Sequence, residues 1–179
     1  MKVTSENDEV LFTQDPITTV TRHTIDELKQ KALTNSRERI RLCTHTDVND
    51  RVHEMLIVHT KNNYVRPHKH LGKSESFHII EGALTIVVFD EDGSITGVIN
   101  LSDYTSGSEF FWRISNSFYH TVIPISDIVV FHETTAGPFR REDTIYPSWA
   151  PTDEDAEYLK TGYVQDLLIR SVDFLEKAK

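Results

Sequence analysis

The chain has 179 residues, 38% hydrophobic and 26% charged, a length and balance that suit one globular domain and exclude the disordered and fibrous classes. Its 28 acidic and 19 basic residues leave a formal charge of -9, so the averaged field repels phosphate backbones, and neither a nucleic acid nor a membrane is expected as partner. A single cysteine, Cys43, excludes an intrachain disulfide and cysteine-rich zinc sites, so a metal would need histidine and carboxylate ligands.

The opening MKVTSENDEVLF is polar, and no run approaches the roughly 18 apolar residues of a bilayer span, so the expected address is cytoplasmic. Thr24 with Glu27 reads as a capping box that opens a helix ending near Thr34. From Arg39 the period becomes two: Ile40 and Leu42 share one face, and Arg39, Arg41, Cys43 and His45 the other. Further β-rich runs span 54–60, 76–80, 84–90, 95–101, 109–114, 120–123 and 128–134, with Gly and Asp turns between them. Eight short strands predict a barrel or sandwich. After Pro151, Thr152 is expected to cap a helical tail that Gly162 interrupts, with Val164, Leu167, Leu168, Val172 and Leu175 repeating at helical spacing. The favoured partner of that stripe is the barrel of its own chain, ahead of a second subunit. Three parts follow: an arm and helix over 1–37, a barrel over 38–140, and an aromatic segment with helices over 141–179.

The sharpest signal is His68-Lys-His70, Glu75 and Gly82, an H-x-H-x4-E-x6-G pattern. Alternate strand residues point one way, so His68 and His70 present two imidazoles on one face, and Glu75 follows a short turn. Imidazoles with one carboxylate suit a single divalent transition metal, Mn, Fe, Co, Ni or Zn, better than Ca or Mg. The pattern would arise by chance in roughly one such sequence in a thousand.

These residues resemble the first motif of the cupin superfamily, with Asn62 where that motif begins on glycine. The stretch Ser115-Asn-Ser-Phe-Tyr-His120 resembles the second motif with serine for both Pro and Gly, and implies His120 as a fourth ligand. The chain is also similar over residues 24–151 to the WbuC-type cupin-fold metalloproteins. That likeness is carried by Ser36-Arg-Glu-Arg39, Arg41, His45, residues 64–70, 89–93 and 133–139, and Trp149-Ala-Pro151. It implies a mostly β fold, a cupin (double-stranded β-helix or jelly-roll barrel) with flanking N- and C-terminal helices. It also implies a link to bacterial O-antigen genes, and homodimers are common among such barrels.

Around this centre, Tyr64 and Arg66 share strand phase with His68 and are candidates for catalysis, or else rim packing and a solvated cation. His59 is a third proton-moving candidate, although for both it and His53 a hydrogen-bonded interior histidine is favoured over a fifth ligand. Arg39, Arg41 and His45 form either a cationic wall for a carboxylate or sugar phosphate, or a solvated sheet face. Trp149 and Tyr146 either cover the mouth or pack the tail. His78 is expected to face outward, and His23 and His132 to be structural.

The leading expectation is an enzyme acting on a small carbohydrate or sugar acid by isomerisation or epimerisation. Two rivals stand beside it: Fe(II) oxygen chemistry, and a non-catalytic sugar-binding or regulatory module braced by its metal.

Overall fold

The structure, a computed structural model, describes residues 1–178. Its strands are β1 (Val3–Ser5), β2 (Val10–Thr13), β3 (Arg39–Cys43), β4 (Val52–Thr60), β5 (Lys69–His70) and β6 (Glu75–Glu81). They continue as β7 (Ala83–Phe89), β8 (Ile95–Ser102), β9 (Phe111–Ile114), β10 (Tyr119–Pro124), β11 (Ile128–Ala136) and β12 (Thr144–Ile145). Two long helices, α1 (Arg22–Thr34) and α2 (Glu157–Lys177), complete the described residues.

A seven-stranded sheet runs β1-β2-β3-β4-β11-β6-β9, a three-stranded sheet runs β10-β7-β8, and β12 pairs with β5. Within these sheets β2 and β3 pair in parallel, and α1 occupies the crossover between them, as a parallel connection requires.

Alternation along the strands sorts the residues into layers. The inner faces meet in one core, where Met55, Ile57, Phe77, Ile79 and Phe131 of the large sheet pack on Leu84, Ile86, Leu101 and Val122 of the small one. The opposite face of the large sheet, Ile40, Leu42, Leu56, Val58 and Val130, takes Ile25, Leu28 and Ala32 of α1. The outer face of the small sheet, Val87, Phe89, Tyr119 and Ile123, takes Leu167, with Tyr163, Val164 and Leu168 beside it. The order is therefore α1, large sheet, small sheet, α2: a two-sheet β-barrel with a helix on each side. Val164, Leu167 and Leu168 of the tail stripe pack within their own chain, whereas Val172 is exposed.

Several local expectations need correction. The cap of α1 is Thr21, whose hydroxyl accepts from the Thr24 amide while Thr24 returns the bond, so the box lies one turn earlier than the Thr24–Glu27 spacing suggested. Thr152 closes a separate turn with Asp155, and α2 begins at Glu157 without a side-chain cap. Gly162 lies inside α2 and does not interrupt it. Strands β1 and β2 had no counterpart in the periodicity; Val3–Ser5 is three exposed residues that pair with β2 through the backbone. No helix among the described residues is long and apolar enough to cross a membrane.

Gly82 is the single residue between β6 and β7, where the chain leaves the large sheet for the small one. Its φ of 82° is left-handed, and a Cβ there would lie 2.5 Å from the Ile128 carbonyl oxygen. Gly82→Ala is expected to cost more than about 1 kcal/mol, read as a lower denaturant midpoint. Leu167 is fully buried, so Leu167→Ala should cost about 2–5 kcal/mol in the same measurement.

Candidate metal centre

His68 and His120 are set side by side by the backbone: each donates its amide to the other's carbonyl, at 3.0 and 2.9 Å, tying the segment before β5 to β10. Their rings then lie 4.7 Å apart, centroid to centroid. Glu75 opens β6, between Thr135 on β11 and Ile114 on β9, and its alternation with Phe77 and Ile79 points it into the barrel. Its Oε2 lies 3.4 Å from His120 Nε2 and 3.5 Å from His70 Nε2.

One ligand atom from each of His68, Glu75 and His120 falls within 4.8 Å of the others. His70 stands a step outward, its ring centroid 6.1 Å from that of His120, with Nδ1 3.1 Å from the Thr144 hydroxyl on β12.

The donor chemistry suits a cation. His68 Nδ1 donates to the Arg66 carbonyl at 2.8 Å and His120 Nδ1 to the Phe118 carbonyl at 3.2 Å, which leaves the lone pairs on Nε2. Glu75 Oε2 and His120 Nε2 are buried without a hydrogen-bond partner, a costly state that a shared ion would relieve. Burial, then the neighbouring His120, pushes His68 down to about 3, so its imidazole is neutral and available for coordination. Burial alone would raise Glu75, but His120, His70 and His68 together hold it down at about 2, ionised. Burial works against a charged His120, yet Glu75 outweighs it and lifts that histidine above its ordinary value. The His68 and His120 imidazoles with the ionised Glu75 carboxylate fit a borderline divalent ion, with His70 a step outside them.

The other sequence candidates divide between two cavities. Arg39, Arg41, His45, His59, Arg66 and Tyr146 line the cavity that reaches His68, His70 and Glu75. Tyr64 does not: residues 61–67 are not a regular strand, so period-two phasing fails, and its hydroxyl donates to the Pro151 carbonyl at 2.8 Å in a cleft under α2. Trp149 is also elsewhere, packed on Phe89 and Tyr119 with Nε1 donating to the Glu91 carbonyl. Arg39 is bound to Glu9 at 2.6 Å, whereas Arg66 stacks over Tyr146 and keeps a buried Nε without a partner. His45 stacks on His53 at 4.0 Å. Sequence reading passed over Lys73, Thr144 and Glu133; the last shares an inward face with Phe131 and Thr135, a phase that could have exposed it.

Convergence of His68, Glu75 and His120 at the mouth of a two-sheet barrel gives a β-barrel with a metal-type donor set. A family model described as a domain of unknown function, DUF6016, matches residues 20–101, which include His68, His70 and Glu75 and stop before His120. No curated protein matches the chain. Similar solved structures include a protein from Shewanella oneidensis at 14% identity and TM-score 0.47, covering 57% of this chain and 66% of that one. Oxalate decarboxylase from Bacillus subtilis is 14% identical at TM-score 0.45, covering 55% of this chain and 24% of that one. Procruciferin, an 11S globulin from Brassica napus, is 14% identical at TM-score 0.41, covering 49% of this chain and 21% of that one. The chain thus spans about a quarter or less of the last two, and nothing about activity follows from these likenesses.

Replacing Glu75 by Gln removes the charge that offsets the ion, so bound divalent metal should fall from stoichiometric to background by elemental analysis. A second expectation concerns acid. Burial, then Arg39 and Arg41, pushes His59 from its ordinary 6.5 down to about 3. The unfolded chain therefore binds more protons in that window, and the associated stability is complete above about pH 6.5 and lost as pH falls toward 3. His59→Leu should flatten the fall of the denaturant midpoint between about pH 6.5 and 4.

Proposed function

We propose that this chain is a metal-dependent enzyme of isomerase or epimerase type acting on a small carbohydrate or sugar-derived acid. The observation carrying this reading is a cavity of about 400 Å³ that reaches His68, His70 and Glu75 and carries Arg41 and Arg66 on its wall, in a chain of net charge -9; Lys73, also on the wall, is paired with Asp143 at 3.0 Å. That volume lies in the range of small-ligand sites, and local cations in an acidic protein favour an anionic guest. Glu9 neutralises Arg37 and Arg39. Arg41, two residues further along β3, has no ion pair among the described residues and is available to a carboxylate. Arg66, fixed by the Pro147 carbonyl at 3.1 Å, offers its unpartnered Nε to the same oxygen atoms.

A divalent ion held by His68, Glu75 and His120, with His70 beside them, would supply Lewis acidity toward a hydroxy-carbonyl group. The chain's own part is to orient the substrate carboxylate with Arg41 and Arg66 and to keep water from its far side with Phe77 and Phe131. His59, neutral down to about 3, is too weak a base near pH 7 to abstract a proton, and is assigned to packing. The motif resemblance supports a place in bacterial surface-polysaccharide metabolism, and a homodimer is the expected assembly, checked by sizing.

A bracing role has one observation in its favour: Glu75 belongs to the large sheet and His120 to the small one, so an ion would cross-link the barrel. His68→Ala separates the readings. On a screen of sugar acids and sugar nucleotides with metal-loaded protein, the enzyme reading predicts lost turnover with cooperative unfolding retained. Bracing predicts a collapsed melting temperature and no turnover in the wild type. Elemental analysis of protein purified without added metal decides whether iron, and with it oxygen chemistry, applies.

A further inference from the structure

The three histidines at the centre have their rings fixed in different ways. His68 and His120 each donate Nδ1–H to the backbone carbonyl two residues earlier, that of Arg66 at 2.8 Å and of Phe118 at 3.2 Å, so each tautomer is set within its own segment. His70 lacks this arrangement: the carbonyl two residues earlier belongs to His68 and already accepts the His120 amide at 2.9 Å. Its Nδ1 instead meets the Thr144 hydroxyl at 3.1 Å, across the two-residue pairing of β5 with β12. Asp143, the neighbouring acceptor, is engaged by Lys73 at 3.0 Å, and its carbonyl takes the Leu71 amide at 2.8 Å. The His70 side chain is 24% exposed, against 2% for His120 and 5% for Glu75, so packing alone does not hold it.

We propose that Thr144 is a positioning residue for the metal centre: its hydroxyl accepts the His70 Nδ1 proton, and His70 thereby offers Nε2 as the fourth ligand. A histidine whose Nδ1–H is committed keeps its lone pair on Nε2, the atom that lies 3.5 Å from Glu75 Oε2. The inference rests on the metal-dependent reading above. It adds that the centre is completed from outside the two main sheets, because Thr144 belongs to the segment that follows β11. Without the hydroxyl, Nδ1 loses its acceptor and the half-exposed ring is free to turn away. Partners of this kind are worth about 10- to 100-fold in metal affinity.

The test uses the full chain with Co(II), whose visible absorption reports its coordination. It compares Thr144→Val, which keeps the side-chain shape, with Thr144→Ser, which keeps the hydroxyl. Co(II) affinity is expected to fall about 10- to 100-fold in T144V and to return close to the wild-type value in T144S. The T144V spectrum should match that of His70→Ala, and T144V added to His70→Ala should cause no further loss, because the two residues act as one unit. Wild-type affinity in T144V or in His70→Ala, or a T144V loss that persists in the His70→Ala background, overturns the role of Thr144 and leaves the centre intact. Should T144V not fold, ¹⁵N-histidine spectra of the Zn(II)-loaded wild type decide. A His70 ring protonated on Nδ1 and bound through Nε2 supports the proposal, whereas metal on Nδ1 or an unbound ring overturns it. A wild type that binds neither ion overturns the centre itself, and this proposal with it.

Discussion

The structure turns on the burial of polar atoms that no protein group satisfies. Glu75 Oε2 and His120 Nε2 lie in the barrel interior, close enough to feel each other's charge and without a hydrogen bond to complete them. Unsatisfied buried groups cost on the order of 1–3 kcal/mol each, more when charged, so a fold that keeps them must be repaid elsewhere. Here the backbone does the holding: the paired amides and carbonyls of His68 and His120 fix the two imidazoles, and the Gly82 corner brings β6 and its Glu75 against them. The same hydrogen bonds that close the barrel therefore bring together atoms that no other protein group satisfies.

The electrostatics of the cavity follow from this asymmetry. Glu75 is held ionised and His68 neutral, while Glu75 lifts His120, and the wall mixes cations with carboxyl groups. Arg37 and Arg39, by contrast, spend their charge on Glu9 and Asp153 and serve the architecture.

Legibility in the sequence tracked regularity in the backbone. The faces of β3 were readable because Ile40 and Leu42 alternate with Arg39, Arg41 and Cys43, and that alternation survives in the layers. His68, His70 and Glu75 were readable because fixed spacing on short strands leaves little freedom. His120 was reached through its offset in a degraded motif, and only the cross-strand pairing with His68 gives it a physical reason. Tyr64 could not be placed, since Asn63 to Pro67 abandon strand geometry and turn its ring under α2. Glu133 was hidden for the opposite reason: a charged residue in a strand of mixed burial looks like a solvated position until both neighbours, β4 and β6, are known. The Thr21 cap escaped because Thr24, the more conspicuous candidate, is its reciprocal partner.

The walls of the cavity and its floor come from different parts of the chain. His68, Glu75 and Glu133 belong to the sandwich, but Glu6 and Glu9 arrive from the amino-terminal arm and Arg141, Tyr146 and Asp153 from the segment after β11. The pairs Arg37–Glu9 and Arg37–Asp153 sew these two borders together over the opening. A change in either border would thus reshape the opening without touching His68, Glu75 or His120.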